Sequence, residues 1–206
     1  HDGHTSMLLG AAKYLAETRN FKGGVAVIFQ PAEEGGAGGK AMVDDGMMER
    51  FGITEVYGMH NLPGLEVGKF SIRPGAIMAA TDTFDIKVIG RGGHAAMPHL
   101  AVDPIVIAAQ IVMAIQQIVS RISNPLESLV ISVTKIEGGS AYNVIPNEVV
   151  LKGTIRSLNS EVRELAKVQL EKIVSGIAEA NSAKSDISIV SGYPVTYNHD
   201  AQTQIA

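Results

Sequence analysis

Val25-Ala26-Val27-Ile28-Phe29-Gln30-Pro31-Ala32-Glu33-Glu34-Gly35-Gly36 joins an unbroken apolar run to two adjacent carboxylates. An apolar run that does not alternate is what a strand covered on both faces looks like. The stretch therefore predicts a parallel-sheet strand over 25–29, with Glu33 and Glu34 just past its carboxyl end, the edge at which open α/β sheets bind ligands. Two neighbouring Glu side chains on a turn repel unless something positive holds them. A divalent cation taken by one, with the other left for proton transfer, resolves that conflict; a solvated loop with two unrelated charges is the alternative.

Upstream, Leu8, Ala11, Ala12 and Leu15 stand at helical spacing, which predicts a helix over 5–18 with Thr5 and Ser6 as candidate caps. Downstream, a glycine-rich stretch at 35–39 leads to a helix over about 40–50 and a second short strand over 55–59, which ends in His60-Asn61. Strand, helix and strand in that order predict a parallel sheet. After strands and turns from 66 to about 80, the pattern changes. Residues 83–89 alternate as a half-buried strand does, and Ile105, Ala109, Val112, Ile115, Val119 and Ile122 share one face of a helix over 103–122. Strands follow at 129–136 and 149–155. Asn159-Ser160 offers an N-cap to a helix over 161–180, with Val162, Leu165, Ala166, Ile173 and Ile177 inward, and a strand at 187–190 closes the set. That β-α-β-β-α-β order is the ferredoxin-like unit. Within it Lys152, Thr154 and Arg156 alternate onto the face opposite Leu151, Gly153 and Ile155. The expected organisation is an incomplete α/β domain over 1–80, an inserted α+β domain over 81–191, and a return to the first domain over 192–206.

The 206 residues, 46% hydrophobic and 18% charged, are globular in composition. A formal charge of −4, with no cluster of Lys and Arg among aromatics, argues against a nucleic-acid partner. No uninterrupted apolar run reaches the ~18 residues of a membrane span. The absence of cysteine removes disulfides and thiolate ligands and is consistent with the cytosol. The chain opens on His1-Asp2-Gly3-His4 and stops at Ala206 with no start or stop signal, which reads as a piece of a longer protein.

Hydrolysis of an amide needs a polarised carbonyl, an activated water and a proton donor for the leaving nitrogen. A metal with open positions and one free carboxylate supply all three. His1, His4, Glu33, Glu34 and His60 are the oxygen and nitrogen ligands available, a set that suits Zn, Mn or Co better than Ca. Five motifs, His1-Asp2-Gly3-His4-Thr5, Pro31-Ala32-Glu33-Glu34-Gly35-Gly36, Gly58-Met59-His60-Asn61, Gly92-Gly93-His94-Ala95-Ala96-Met97-Pro98-His99 and Tyr142-Asn143-Val144-Ile145-Pro146, stand in that order. In order and spacing they resemble the M20 metallopeptidase family, and most closely its amidohydrolase branch of hippurate, N-acyl-amino-acid and auxin-conjugate hydrolases.

The resemblance implies a pair of divalent metal ions (Mn, Zn or Co) in the intact enzyme, with His1, Glu34 and His60 as ligands and Glu33 as general base. It places Asp2 and His4 behind those ligands, orienting them. It makes the inserted domain a lid and dimerisation domain that presents His94 to a partner subunit's site, where it stabilises an oxyanion, and it assigns Asn143 and Arg156 to the substrate's carboxylate. The implied substrate is a small N-acyl amino acid, and the implied assembly a homodimer without nucleic acid or membrane. The family's Cys ligand before His1 and its last His ligand fall outside these residues, so the 206-residue piece is expected to bind metal weakly or not at all and to be inactive. A dipeptidase, a deacetylase of an N-acetylated diamino acid and a non-catalytic dimerisation module are the competing readings.

Overall fold

In the computed structural model, which describes residues 1–206, the chain divides into two compact units, His1–Ser71 and Ile72–Ala206. Contacts thus part the chain at 71/72, and residues 192–206, expected to rejoin the first unit, pack within the second.

The first unit consists of α1 (Asp2–Thr18), α2 (Gly38–Asp44), α3 (Met47–Phe51) and connecting segments. Helix α1 begins three residues before the expected start. Its N-cap is His1, and the Ser6 hydroxyl donates back to Asp2 O within the helix instead of capping it. The single helix expected over 40–50 is two, separated at Gly46, whose φ of +79° is a left-handed turn open to glycine. The strands expected at 25–29 and 55–59 are not formed. A ladder needs a second strand about 4.8 Å away, and no segment of this unit pairs with either run. Val25, Val27, Phe29, Val56 and Tyr57 are accordingly exposed, and Gly38 alone is buried in this unit.

The second unit carries the core. Its strands are β1 (Gly75–Met78), β2 (Ala80–Ile89), β3 (Gly93–His94), β4 (Leu129–Gly138), β5 (Val144–Ile145), β6 (Glu148–Ser157), β7 (Lys184–Ser191) and β8 (Thr196–Asn198), and its helices are α4 (Pro104–Ala114), α5 (Ser160–Ala180) and α6 (Asp200–Ile205). The central sheet is antiparallel throughout, in the order β4-β6-β2-β7. The strict alternation of β2 turns Phe84, Ile86 and Val88 to one face, where they meet Ile107 and Ile111 of α4 and Leu170 and Val174 of α5. Leu151 and Ile155 share that face while Lys152, Thr154 and Arg156 stand half-exposed on the other, as the alternation predicts. Beside this sheet, β1 pairs with β8 and β3 with β5.

One helix face differs from expectation. From α4 through the π turn after it (Ile118–Ile122) the buried residues are Pro104, Ile107, Ala108, Ile111, Ile115 and Ile118, whereas Ile105, Val119 and Ile122 are exposed. Pro104–Ile122 is long and apolar enough in composition to cross a membrane, and within α4 Gln110 is the one polar side chain. A helix with a single polar side chain carries little periodic signal for which face turns inward. Packing against the sheet decides it.

Candidate metal centre

The candidate ligands converge at the start of α1. His1 as N-cap and His4 one turn later lie on one side of the helix, their rings stacked at 5.0 Å between centroids and 27° between planes. His60 completes a cluster of three imidazoles, 4.2 Å from the His4 ring and 5.6 Å from that of His1. The two carboxylates arrive from a tight turn in which Gly35 N–H donates to Glu33 O at 2.7 Å and Gly36 N–H to Ala32 O at 3.1 Å. Gly38 is required there by close approach, because a Cβ on it would stand 1.8 Å from Pro31 O. The turn sets His1 Nδ1 3.2 Å from Glu33 Oε2 and 3.4 Å from Glu34 Oε1.

The donor set fits a first-row divalent cation. Ligand atoms at about 2.0–2.2 Å from such an ion lie about 3–3.5 Å from one another, which is the spacing between His1 and the two carboxylates. Two overlapping groups, His1 with His4 and His60, and His1 with Glu33 and Glu34, have ligand atoms within 4.8 Å of one another. The site is open, the Glu34 side chain being 86% exposed and that of Glu33 53%. Distances treat the two carboxylates alike, so which is ligand and which base is not a matter of these lengths. Asp2 accepts from Gly3 N–H at 2.8 Å and belongs to the helix start.

In the second unit His94 is held in the two-residue ladder β3–β5, opposite Val144, and is no loose loop residue. Its Nδ1 accepts from Ala96 N–H at 3.1 Å, which leaves the proton of the neutral ring on Nε2 as a donor. Ala95 N–H donates to Asn143 O at 2.9 Å, so His94 and Asn143 share one tip of the unit. Arg156 does not join them. It lies near the far end of β6 from Glu148, on the order of 25 Å away at ~3.3 Å per residue. There its guanidinium donates to Ile155 O at 3.0 Å and Asp82 O at 3.4 Å and contacts Thr154 Oγ1. Asn143 and Arg156, expected as a pair, are not brought together within one chain.

The family model for peptidase family M20/M25/M40 matches residues 1–206. The chain belongs to this family. Among M20 relatives, it is 45% identical over 206 residues to hippurate hydrolase from Campylobacter jejuni, covering 100% of this chain and 54% of that protein. It is also 45% identical over 202 residues to the N-acyl-L-amino acid amidohydrolase of Geobacillus stearothermophilus, covering 97% of this chain and 54% of the relative. The chain thus spans about half the length of these M20 relatives. A dinuclear metal-binding M20 peptidase of Bacillus subtilis superposes with a TM-score of 0.81 at 31% identity, covering 99% of this chain and 51% of the other. The M20 motifs are legible in the sequence alone. The backbone of Asn61, which hydrogen-bonds both His4 and His60, is not, since backbone N–H and C=O groups carry no sequence signal.

Proposed function

We propose that the whole protein carrying this chain is a metal-dependent amidohydrolase that cleaves the amide bond of small N-acyl amino acids such as hippurate, through an activated water. The observation that carries it is the placement of His1 Nδ1 at 3.2 and 3.4 Å from two adjacent carboxylates and beside the His60 ring. In this reading His1, Glu34 and His60 hold divalent ions of the Mn, Zn or Co kind. Those ions, when bound, polarise the scissile carbonyl and make water acidic enough to be deprotonated near neutrality. Glu33 takes the proton from the attacking water and returns it to the departing nitrogen, the ordinary duty of a carboxylate within reach of both.

The second unit is read as the ferredoxin-like lid of this enzyme. Its four antiparallel strands and two helices in β-α-β-β-α-β order support that reading. His94, with Nε2–H as its free donor, stabilises the oxyanion of the tetrahedral intermediate. Arg156 and Asn143 hold the substrate's carboxylate from two different copies, which is how residues separated by the length of β6 can meet on one ligand. Strand β4 is a free sheet edge bearing exposed Val130 and Ile136, and α4 turns Val106 and Met113 outward. These faces are the proposed seat of a second copy.

The test is Glu33→Gln in the whole protein, assayed with hippurate and Mn2+. We expect turnover to fall by about 10²–10⁴-fold with metal stoichiometry retained. Full activity in that variant removes Glu33 as the base.

A further inference from the structure

We infer that His4 is a positioning residue that acts on His60 through the backbone N–H and C=O of Asn61, which flank its Cα; the inference rests on the metal reading above and deepens it. His60 Nδ1 lies 2.8 Å from Asn61 O. A carbonyl oxygen only accepts, so the proton of the neutral His60 ring is on Nδ1 and the lone pair on Nε2. Asn61 N–H donates to His4 Nε2 at 3.0 Å. His4 Nε2 is therefore an acceptor, and its own proton sits on Nδ1. His4, anchored in α1, fixes the NH side of the Asn61 residue, whose CO side fixes the tautomer of His60. The arrangement presents His60 Nε2 as the ligand atom, as a hydrogen-bond partner behind a ligating imidazole does.

This decides between the two ligand groups. A three-histidine site made of His1, His4 and His60 needs a lone pair on His4, and the only one in the neutral ring is engaged by Asn61 N–H. His4 instead lies tilted against the His60 ring, 4.2 Å between centroids and 59° between planes, as a support. The set that remains is His1 with the carboxylates, joined by His60.

The experiment uses the whole protein. Long-range 1H–15N spectra of the Zn2+-loaded protein read the tautomers directly, and Co2+ titration followed by visible absorption reads affinity and ligand set. The expected result is Nδ1–H at His4. His4→Gln, whose side-chain carbonyl can accept Asn61 N–H at the position of Nε2, keeps the Co2+ affinity and band shape. His4→Leu weakens Co2+ by about 10–100-fold. Nε2–H at His4, equal losses in both variants, or undiminished affinity in His4→Leu each overturn the inference. Should His4→Leu not fold, the tautomer and the Gln variant decide it. A wild-type protein that takes up no Co2+ removes the metal reading and this inference with it, whereas uptake indifferent to His4 removes the inference alone.

Discussion

Gly153 and Asp82 show what single residues contribute to the second unit. Gly153 pairs with Phe84 across the sheet, and a Cβ there would stand 2.2 Å from Phe84 Cζ and 2.3 Å from Ser132 O. The ring lies over a position only glycine leaves open. Gly153→Ala is expected to cost about 1–3 kcal/mol by overpacking, read as a lowered urea midpoint, while Gly176→Ala, with open space around its Cβ position, is the control. Asp82 is 1% exposed. Burial pushes its carboxyl up, and the Arg163 guanidinium with the Lys167 ammonium outweighs burial, holding it below its ordinary value of 3.8. The unfolded chain therefore takes up this proton at a higher pH than the folded one. The stability contributed by the pair is complete above the unfolded value and is lost as pH falls through the folded one. Urea midpoints should drop on acidification below about pH 4, and Asp82→Asn should flatten that fall. An unchanged slope in the variant removes Asp82 as its source.

At the scale of elements, α5 fastens the strands by which the chain enters and leaves the central sheet. From α5, Arg163 Nε donates to Asp82 Oδ2 at 2.7 Å, and its Nη2 reaches Asp82 Oδ1, Thr81 O and Gly192 O. Thr81 N–H donates to Tyr193 O at 3.0 Å and Gly192 N–H to Thr81 O at 2.8 Å, which closes the two strands on each other. Arg163→Met leaves a buried carboxylate without its main partner and should cost about 3–5 kcal/mol. Asn159→Ala removes a cap whose Oδ1 accepts from Glu161 N–H at 2.8 Å, and should cost about 1 kcal/mol. Thermal unfolding of both variants should rank them in that order. The cap at Asn159 is legible in the sequence because capping residues act locally, whereas the clamp is not, its partners standing 81 positions apart. The inward face of α4 was missed for the opposite reason, since Ile105, Ile107 and Ile111 are chemically alike.

Across the whole molecule the two units differ in what holds them. The second buries a continuous core from Phe84 to Val174, whereas Gly38 is the one buried residue of the first. Apolar area removed from water is the main favourable term in folding, so local opening in His1–Ser71 should lie at the low end of the free-energy range. Trypsin acting on the 206-residue chain is expected to cut first at Arg19, Lys22 or Arg50 and to leave the second unit intact; cleavage beginning in β2 or α5 would contradict this. The proposed assembly is tested at this scale too. Met113→Lys with Val130→Lys should convert a dimer of the whole protein to a monomer by light scattering, with the fold retained. A dimer that persists removes the α4 and β4 faces as the interface.

The sequence by itself determined the family and the element order of the second unit, and it supplied the candidate residues for the proposed chemistry. Motifs such as Pro31-Ala32-Glu33-Glu34 and alternations such as 83–89 are local, and local chemistry is written in consecutive residues. Tertiary structure decided the rest: that 25–29 and 55–59 pair with nothing in these 206 residues, that Arg156 lies near the end of β6 remote from Glu148 and Asn143, and that His4 reaches His60 through the backbone N–H and C=O of Asn61. Each depends on which distant backbone lies within hydrogen-bonding distance. That is settled by packing, which no short window of sequence contains.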